Sequence, residues 1–183
     1  MKVFREVRMK TEKFELGDRV KVKLPGETHF MTAIQRQKNG ILFIFDDCLK
    51  AAHAFSENPD ENTDYFNSDI RKYLKDVENM LPEKIFRKAV PNSDGDRLFL
   101  LTLEEVCGLD SDFNEASGQI PYFKTRKNRV ADRNGDYEWW WTRTKFSAAS
   151  FANVFYHGLA YSGLASNSVG VRPAIVLSDI ALA

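Results

Sequence analysis

The last third of this chain constrains it most, because two rigid blocks there enclose a stretch that carries almost no charge. The first block is Trp139-Trp140-Trp141-Thr142-Arg143 and the second is Gly170-Val171-Arg172-Pro173-Ala174-Ile175-Val176-Leu177. Three consecutive indoles can bury roughly 150–250 Å² each, so the first block demands a core to sit in. Neighbours on a strand point to opposite faces, so one of the three indoles is expected to face outward. In the second block Pro173 cannot donate a ladder hydrogen bond, which places it at a strand start, an edge or a bulge. Gly170 allows a tight turn into the strand. Arg172, flanked by apolar residues, needs a carboxylate or backbone carbonyls as partners.

Residues 146–168 read FSAASFANVFYHGLAYSGLASNS, with no Lys, Arg, Asp, Glu, Gln, Met or Trp. At the chain's 28% charged content, about six charged residues would be expected in such a window. Tyr, Ser, Asn, His and Gly are the types that binding loops favour: Tyr gives rigid contact area, while Ser and Asn adapt their hydrogen bonds. Buried, so many hydroxyls and amides would each need a partner. The segment 144–169 therefore reads as a binding surface held between two scaffold blocks. A buried glycine- and serine-rich β segment would show the same depletion and stands as the alternative.

Upstream, the periodicities alternate between strand and helix. Residues 3–9 alternate loosely, as a first strand or an arm over 1–15. Leu16-Gly17-Asp18 reads as a turn, and Val20, Val22 and Leu24 alternate with Arg19, Lys21 and Lys23, the period of a strand with one buried face. Pro25-Gly26 ends it. A second strand over 30–37 leads into Asn39-Gly40, which suits the positive φ of a type I′ hairpin turn, and Ile41 to Phe45 follows as a strand covered on both faces. Ile70, Tyr73, Leu74, Val77 and Leu81 form the apolar stripe of a helix capped by Asn67 or Ser68. Pro82 opens a second short helix, with Ile85, Phe86 and Ala89 inward. Residues 97–101 make a buried strand, and Thr102-Leu103-Glu104-Glu105 is a capping box for a helix to about Leu109. Residues 110–137 are expected to be mostly irregular. The class is α+β in one domain spanning 1–183.

Several functions find no support. The formal net charge is zero, which gives no bulk attraction to nucleic acid or to a membrane. The basic cluster Lys124, Arg126, Lys127, Arg129 and Arg133 is diluted by Asp132 and Asp136 and belongs to no recognisable nucleic-acid module, so it reads as a solvated loop. No apolar run is long enough to span a bilayer. Met1 to Glu6 lacks the apolar core of a signal peptide, so synthesis in the cytoplasm is expected, with virion association or display by another route left open. Cys48 and Cys107, far apart and flanked by apolar residues, read as free buried thiols. His29, His53 and His157 have no metal-ligand spacing, and Asp60, Asn62 and Asp64 begin a calcium loop that Tyr65 and Arg71 break at its sixth and twelfth positions. No phosphate loop or nucleophile elbow occurs, so no catalytic residue, metal or cofactor is expected.

The tryptophan strand ending in Arg143, the Val154 to Gly158 step and the terminal Gly170 to Leu177 run together resemble the C-type-lectin-like fold, in the version found in phage and gut-bacterial proteins and in the variable proteins of diversity-generating retroelements. Gly17-Asp18, the run Ser68 to Leu74 and the run Phe99 to Val106 agree, so the resemblance covers about residues 14–180. It implies a receptor-recognition module of small twisted antiparallel sheets with two or three flanking helices. In the retroelement proteins, adenine-directed mutagenesis rewrites codons, often from Asn, and those codons do not reach Lys, Glu, Gln, Met or Trp. By this resemblance Trp139, Trp141, Arg143, Val154, Gly158, Gly170, Arg172 and Pro173 are scaffold, with Phe146 and Phe151 packed. The displayed, calcium-independent set is Thr144, Ser147, Asn153, Phe155, Tyr156, His157, Leu159, Tyr161, Ser162, Leu164, Ser166 and Asn167. The partner would be a protein or carbohydrate ligand, with a homo-oligomer open. The lectin calcium motifs are missing from this sequence. A formylglycine-generating enzyme, which shares a similar closing element, would need a cysteine pair near the terminus, and the final third has none. The alternative is a structural protein of a phage or cell-surface assembly with the same fold.

Overall fold

A computed structural model describes residues 13–179. Most of the proposed arm over 1–15 falls outside them. Strand β1 (Arg19–Leu24) turns at Pro25-Gly26 into β2 (Glu27–Gln37), which pairs in turn with β3 (Gly40–Phe45). Val20, Val22 and Leu24 face inward and Lys21 and Lys23 outward, as the alternation requires.

The β2–β3 turn differs from expectation. Gln37 pairs with Gly40, so the two turn residues are Lys38 and Asn39, and neither has positive φ. Gly40 is needed for a different reason: a Cβ there would lie 2.1 Å from the Leu177 carbonyl oxygen. The type I′ signature sits elsewhere. Asn134 (φ 55°) and Gly135 (φ 92°) join β6 (Ala131–Arg133) to β7 (Asp136–Glu138), within the stretch expected to be irregular. That stretch also holds two 3-10 turns, at Pro121–Lys124 and Arg126–Arg129.

Ser68 caps helix α1 (Asp69–Asn79) by accepting from the Arg71 amide, and the stripe Ile70, Leu74 and Val77 is buried. Helix α2 (Glu83–Lys88) follows Pro82 and buries Ile85. Glu78, in the last turn of α1, ties that helix to the sheet: its buried carboxylate accepts from the Arg97 and Leu98 amides at 2.8 and 3.1 Å. Strand β5 shrinks to Leu98–Phe99, although Leu100 and Leu101 stay buried. The capping box at Thr102 forms in full, and α3 (Leu103–Cys107) stops at Gly108 in the left-handed conformation.

The last strand, β12 (Ala174–Leu177), inserts between β3 and β5 and runs antiparallel to both, giving the order β1-β2-β3-β12-β5. Every residue of β3 and β12 is buried, because both faces of the sheet centre are covered. A second sheet, order β10-β9-β8, is made of β8 (Trp140–Ser147), β9 (Ser150–Val154) and β10 (Ala160–Leu164). It is pinned to the rest at its β8 edge: the Gly170 amide donates to the Trp139 carbonyl at 2.9 Å, the Trp141 amide donates back to the Gly170 carbonyl at 3.1 Å, and the Arg143 amide donates to Leu101. Short β4 (His53–Ala54) and β11 (Ser168–Val169) pair beside it. The described residues thus form a mixed α+β arrangement of small antiparallel sheets with three α-helices. No helix among the described residues is long and apolar enough to cross a membrane.

Candidate functional site

The scaffold begins with two buried indoles. Trp140 and Trp141 are both fully covered, on opposite faces of β8, so both faces of this strand are core. Each satisfies its N–H against a distant carbonyl: Trp140 donates to Arg129 at 2.8 Å and Trp141 to His53 at 2.9 Å. Arg172 is also buried. Its partners are carbonyls, Phe45 at 2.8 Å and Asn128 at 3.1 Å, and its guanidinium lies over Trp140. Withdrawal from water holds its pKa below the ordinary arginine value. Gly170 is required by crowding: a Cβ there would meet the Trp139 carbonyl oxygen at 2.4 Å and the Cys48 sulfur at 2.8 Å. Burial pushes the Cys48 thiol up to about 12, so it is inert.

After β9 the chain makes a tight turn that projects side chains. Phe155 donates to Leu159 at 2.8 Å and Gly158 to Phe155 at 2.7 Å. Gly158 has φ 76°, and a Cβ would stand 2.7 Å from the Arg126 carbonyl oxygen, so turn geometry and close approach both call for glycine. Arg129 ties the turn down with its guanidinium on the Gly158 carbonyl at 3.4 Å. This turn carries Phe155, Tyr156 and His157.

These rings form one surface cluster with Trp139 and Tyr161. Phe155 lies at its centre, 4.8 Å from Trp139, 3.8 Å from Tyr156 and 5.8 Å from both His157 and Tyr161. Tyr156 and His157 meet at 4.3 Å. His157 and Tyr161 are exposed and the other three half-buried. Trp139 is therefore part of the surface as well as the scaffold, and is the one indole of the three that faces outward.

An open cleft of about 910 Å³ borders the cluster, lined by Tyr156, His157 and Leu159 on one wall and by Arg126, Lys127 and Tyr137 among the others. Such a volume lies within the roughly 300–1,000 Å³ of small-molecule sites. Asp47 and Asp132 line it too, and both also line a neighbouring cleft of about 380 Å³ beside His29 and Glu27. Asp47 titrates above the ordinary carboxylate range, first because it is partly withdrawn from water and then because Asp132 repels its charge. The basic residues expected in a solvated loop thus divide: Arg126 and Lys127 line the cleft, while Arg129 and Arg133 are engaged, the latter with Glu138 at 2.6 Å.

Of the displayed set, Ser147, His157, Leu159, Tyr161, Leu164, Ser166 and Asn167 are exposed, and Phe155, Tyr156 and Ser162 half-buried. Two members are corrected. Asn153 is 0% exposed, because β9 is the central strand of its sheet, between Trp141 on β8 and Tyr161 on β10. Thr144 is half-buried and structural, its hydroxyl accepting from the Leu103 amide at 2.9 Å at the start of α3. Phe151 is packed, stacked on Phe55 at 3.6 Å. Phe146 is 42% exposed and rests on Phe113. Sequence reasoning missed the cleft, because Asp47, Arg126 and Tyr137 are brought together by tertiary structure with no local pattern.

No group of three or more His, Cys, Asp or Glu among the described residues could hold a metal ion. The site is an aromatic surface beside a mixed-charge cleft, on a mixed α+β domain. The chain belongs to the family described as Domain of unknown function (DUF6273), which matches residues 39–179. The match contains the second sheet, the aromatic turn and β12, and it leaves out β1 and β2. No curated protein and no solved structure matches the chain.

Proposed function

We propose that this domain is a metal-independent recognition module of C-type-lectin-like architecture, without enzymatic activity, whose ligand contacts the cluster Trp139, Phe155, Tyr156, His157 and Tyr161. The contiguous rings at the rim of an open cleft carry this reading. Exposed aromatic side chains on a glycine-braced turn give large contact area at small entropy cost. The lectin-like assignment is supported by a terminal strand closing the main sheet between β3 and β5, with a smaller sheet presenting the surface. The uncharged run 146–168 supports a diversified surface of the retroelement kind, with Asn153 and Thr144 withdrawn from it. Protein and glycan arrays probed with the wild-type domain, then with Tyr156, His157 and Tyr161 all changed to Ala, test the module. The triple variant is expected to fold as wild type and lose the captured ligand; equal capture places the site elsewhere. A reverse-transcriptase gene beside a near-copy of the codons for residues 140–172, differing at adenines, tests the diversification. The second reading, a structural part of a phage or cell-surface assembly, is favoured by one observation, the outer edge of β10, which pairs with no other strand among the described residues.

A further inference from the structure

Among the described residues, Arg126 is the one arginine whose guanidinium has neither an ion pair nor a hydrogen bond. The others are engaged by carboxylates, as Arg71 is by Asp96 and Arg133 by Glu138, or by backbone carbonyls, as Arg129 and Arg172 are. Arg126 is nevertheless held in place. A Cβ on Gly158 would stand 2.7 Å from the Arg126 carbonyl oxygen and 3.1 Å from its Cγ, so the glycine of the aromatic turn makes room for this residue and its stem. Lys127, the next residue, also has no partner for its ammonium among the described residues, and both line the cleft of about 910 Å³. A guanidinium with a braced stem and no internal partner keeps its whole donor fork for an anion from outside.

The other charges of the cleft restrict which anion that is. Asp47 and Asp132 line it too, so its two cations and two carboxylates cancel. A polyanion would gain at Arg126 and Lys127 and be repelled at the two aspartates. A single carboxylate on a body rich in hydroxyls suits all four groups. The carboxylate accepts a pair of parallel hydrogen bonds from the guanidinium, and the hydroxyls donate to the aspartate oxygens. Tyr137, 72% exposed, and Tyr156 line the same cleft and offer ring faces to the apolar side of a ligand. A sugar acid carries carboxylate, hydroxyls and an apolar C–H face on one compact ring. On the reading of this domain as a recognition module, on which this rests, we infer that the cleft binds an acidic sugar residue. Arg126 holds the carboxylate, Lys127 adds attraction, and Asp47 and Asp132 accept from the hydroxyls.

NMR titration of the isotope-labelled full chain with glucuronic acid and with N-acetylneuraminic acid, each beside its neutral methyl ester, tests this. At least one acid is expected to shift the amides of residues 126–132 and 156–159. Its ester is expected to bind about tenfold more weakly, the size of one lost charge-assisted hydrogen bond. Arg126→Ala is expected to weaken the acid by about tenfold or more and leave the ester unchanged. Arg126→Lys, which keeps the charge without the fork, loses less, and Lys124→Ala, outside the cleft lining, binds as wild type. Acid against ester on the wild type is a comparison that needs no variant to fold. Acid and ester binding alike, no response to either acid, tighter binding of inorganic phosphate or of a Glu-rich peptide, or a folded Arg126→Ala variant with unchanged affinity would each overturn the assignment. If the acids fail while the Tyr156, His157 and Tyr161 triple variant still loses a ligand captured on the arrays, the recognition module stands and its ligand has other chemistry. If the acids bind the triple variant as they bind wild type, the aromatic cluster is not the contact and the cleft is.

Discussion

The Arg172 guanidinium sits 5.0 Å over the Trp140 ring, deep in the interior, and the hydrogen bonds it donates go to backbone carbonyls. One side chain thereby joins the closing segment to the end of β3 through Phe45 and to the second 3-10 turn through Asn128. The Trp140 indole reaches that same turn at Arg129. The floor beneath the aromatic turn is a product of this pair.

Replacing Arg172 with Lys keeps a charge and loses the planar fork. One ammonium cannot reach both carbonyls in the same geometry, and it is hydrated more strongly than a guanidinium. Arg172→Lys is expected to lower unfolding stability by about 2–4 kcal/mol, read from urea denaturation at constant m. A loss under about 1 kcal/mol would show that the fork is dispensable.

Thr144 and Ser147 separate a structural hydroxyl from a displayed one. Thr144→Val removes the acceptor for the Leu103 amide and leaves that donor unsatisfied at the start of α3. The expected cost is about 1–2 kcal/mol. Ser147→Ala, at an exposed position near the β8–β9 hairpin, is expected to stay within about 0.5 kcal/mol. Thermal melts of the two variants beside wild type make the comparison.

Asp47 gives a pH signature of unusual sign. Its folded pKa is raised above the ordinary 3.8, so the folded state holds this proton over a range in which the unfolded chain has released it. Below the unfolded pKa both states are protonated and the group has no effect. As pH rises from about 4 through the raised value, the folded state loses stability relative to the unfolded one. Asp47→Asn removes that loss. The variant is expected to match wild type in melting temperature at pH 3 and to exceed it at neutral pH. A wild type that melts higher than the variant at neutral pH would count against the crowding of Asp47 by Asp132.

Local patterns in the sequence announce what local physics controls. The alternation at Val20, Val22 and Leu24, the stripe through Ile70, Leu74 and Val77, and the Thr102 capping box depend on residues a few positions apart, and each appears as expected. The buried Arg172 was legible because it breaks the surrounding apolar pattern, whereas Gly158 stood out only through the resemblance. The cleft was not, since Asp47, Arg126 and Tyr137 meet only after three separate segments pack. The hairpin at Asn134-Gly135 was missed for a related reason: its flanking strands are three residues each, too short to show a period. Asn39-Gly40 misled because Gly40 answers to Leu177, a contact 137 positions away in the chain (177 − 40).

Asn153 decides how far diversification could extend into the sheet. Its side chain is buried, and neither its amide nitrogen nor its oxygen finds a partner among the described residues. An adenine-rich Asn codon reaches Asp by one change, so a freely diversified position would sample a carboxylate. Here that carboxylate would lie beneath Gly163 and beside Trp141, at a position with no exposure to solvent. Asn153→Asp is expected to cost more than about 3 kcal/mol at neutral pH and to recover toward wild-type stability as pH falls and the carboxyl takes up a proton. Asn153→Ala, which deletes the unpartnered amide, is expected to lie within about 1 kcal/mol of wild type, since the lost packing is offset by relief of a buried polar group. At Tyr161, directly across the strand and open to solvent, an Asp is expected to leave the melting temperature nearly unchanged. If Asn153→Asp proves as harmless as Tyr161→Asp in urea unfolding, then β9 opens in solution and the displayed surface includes its centre.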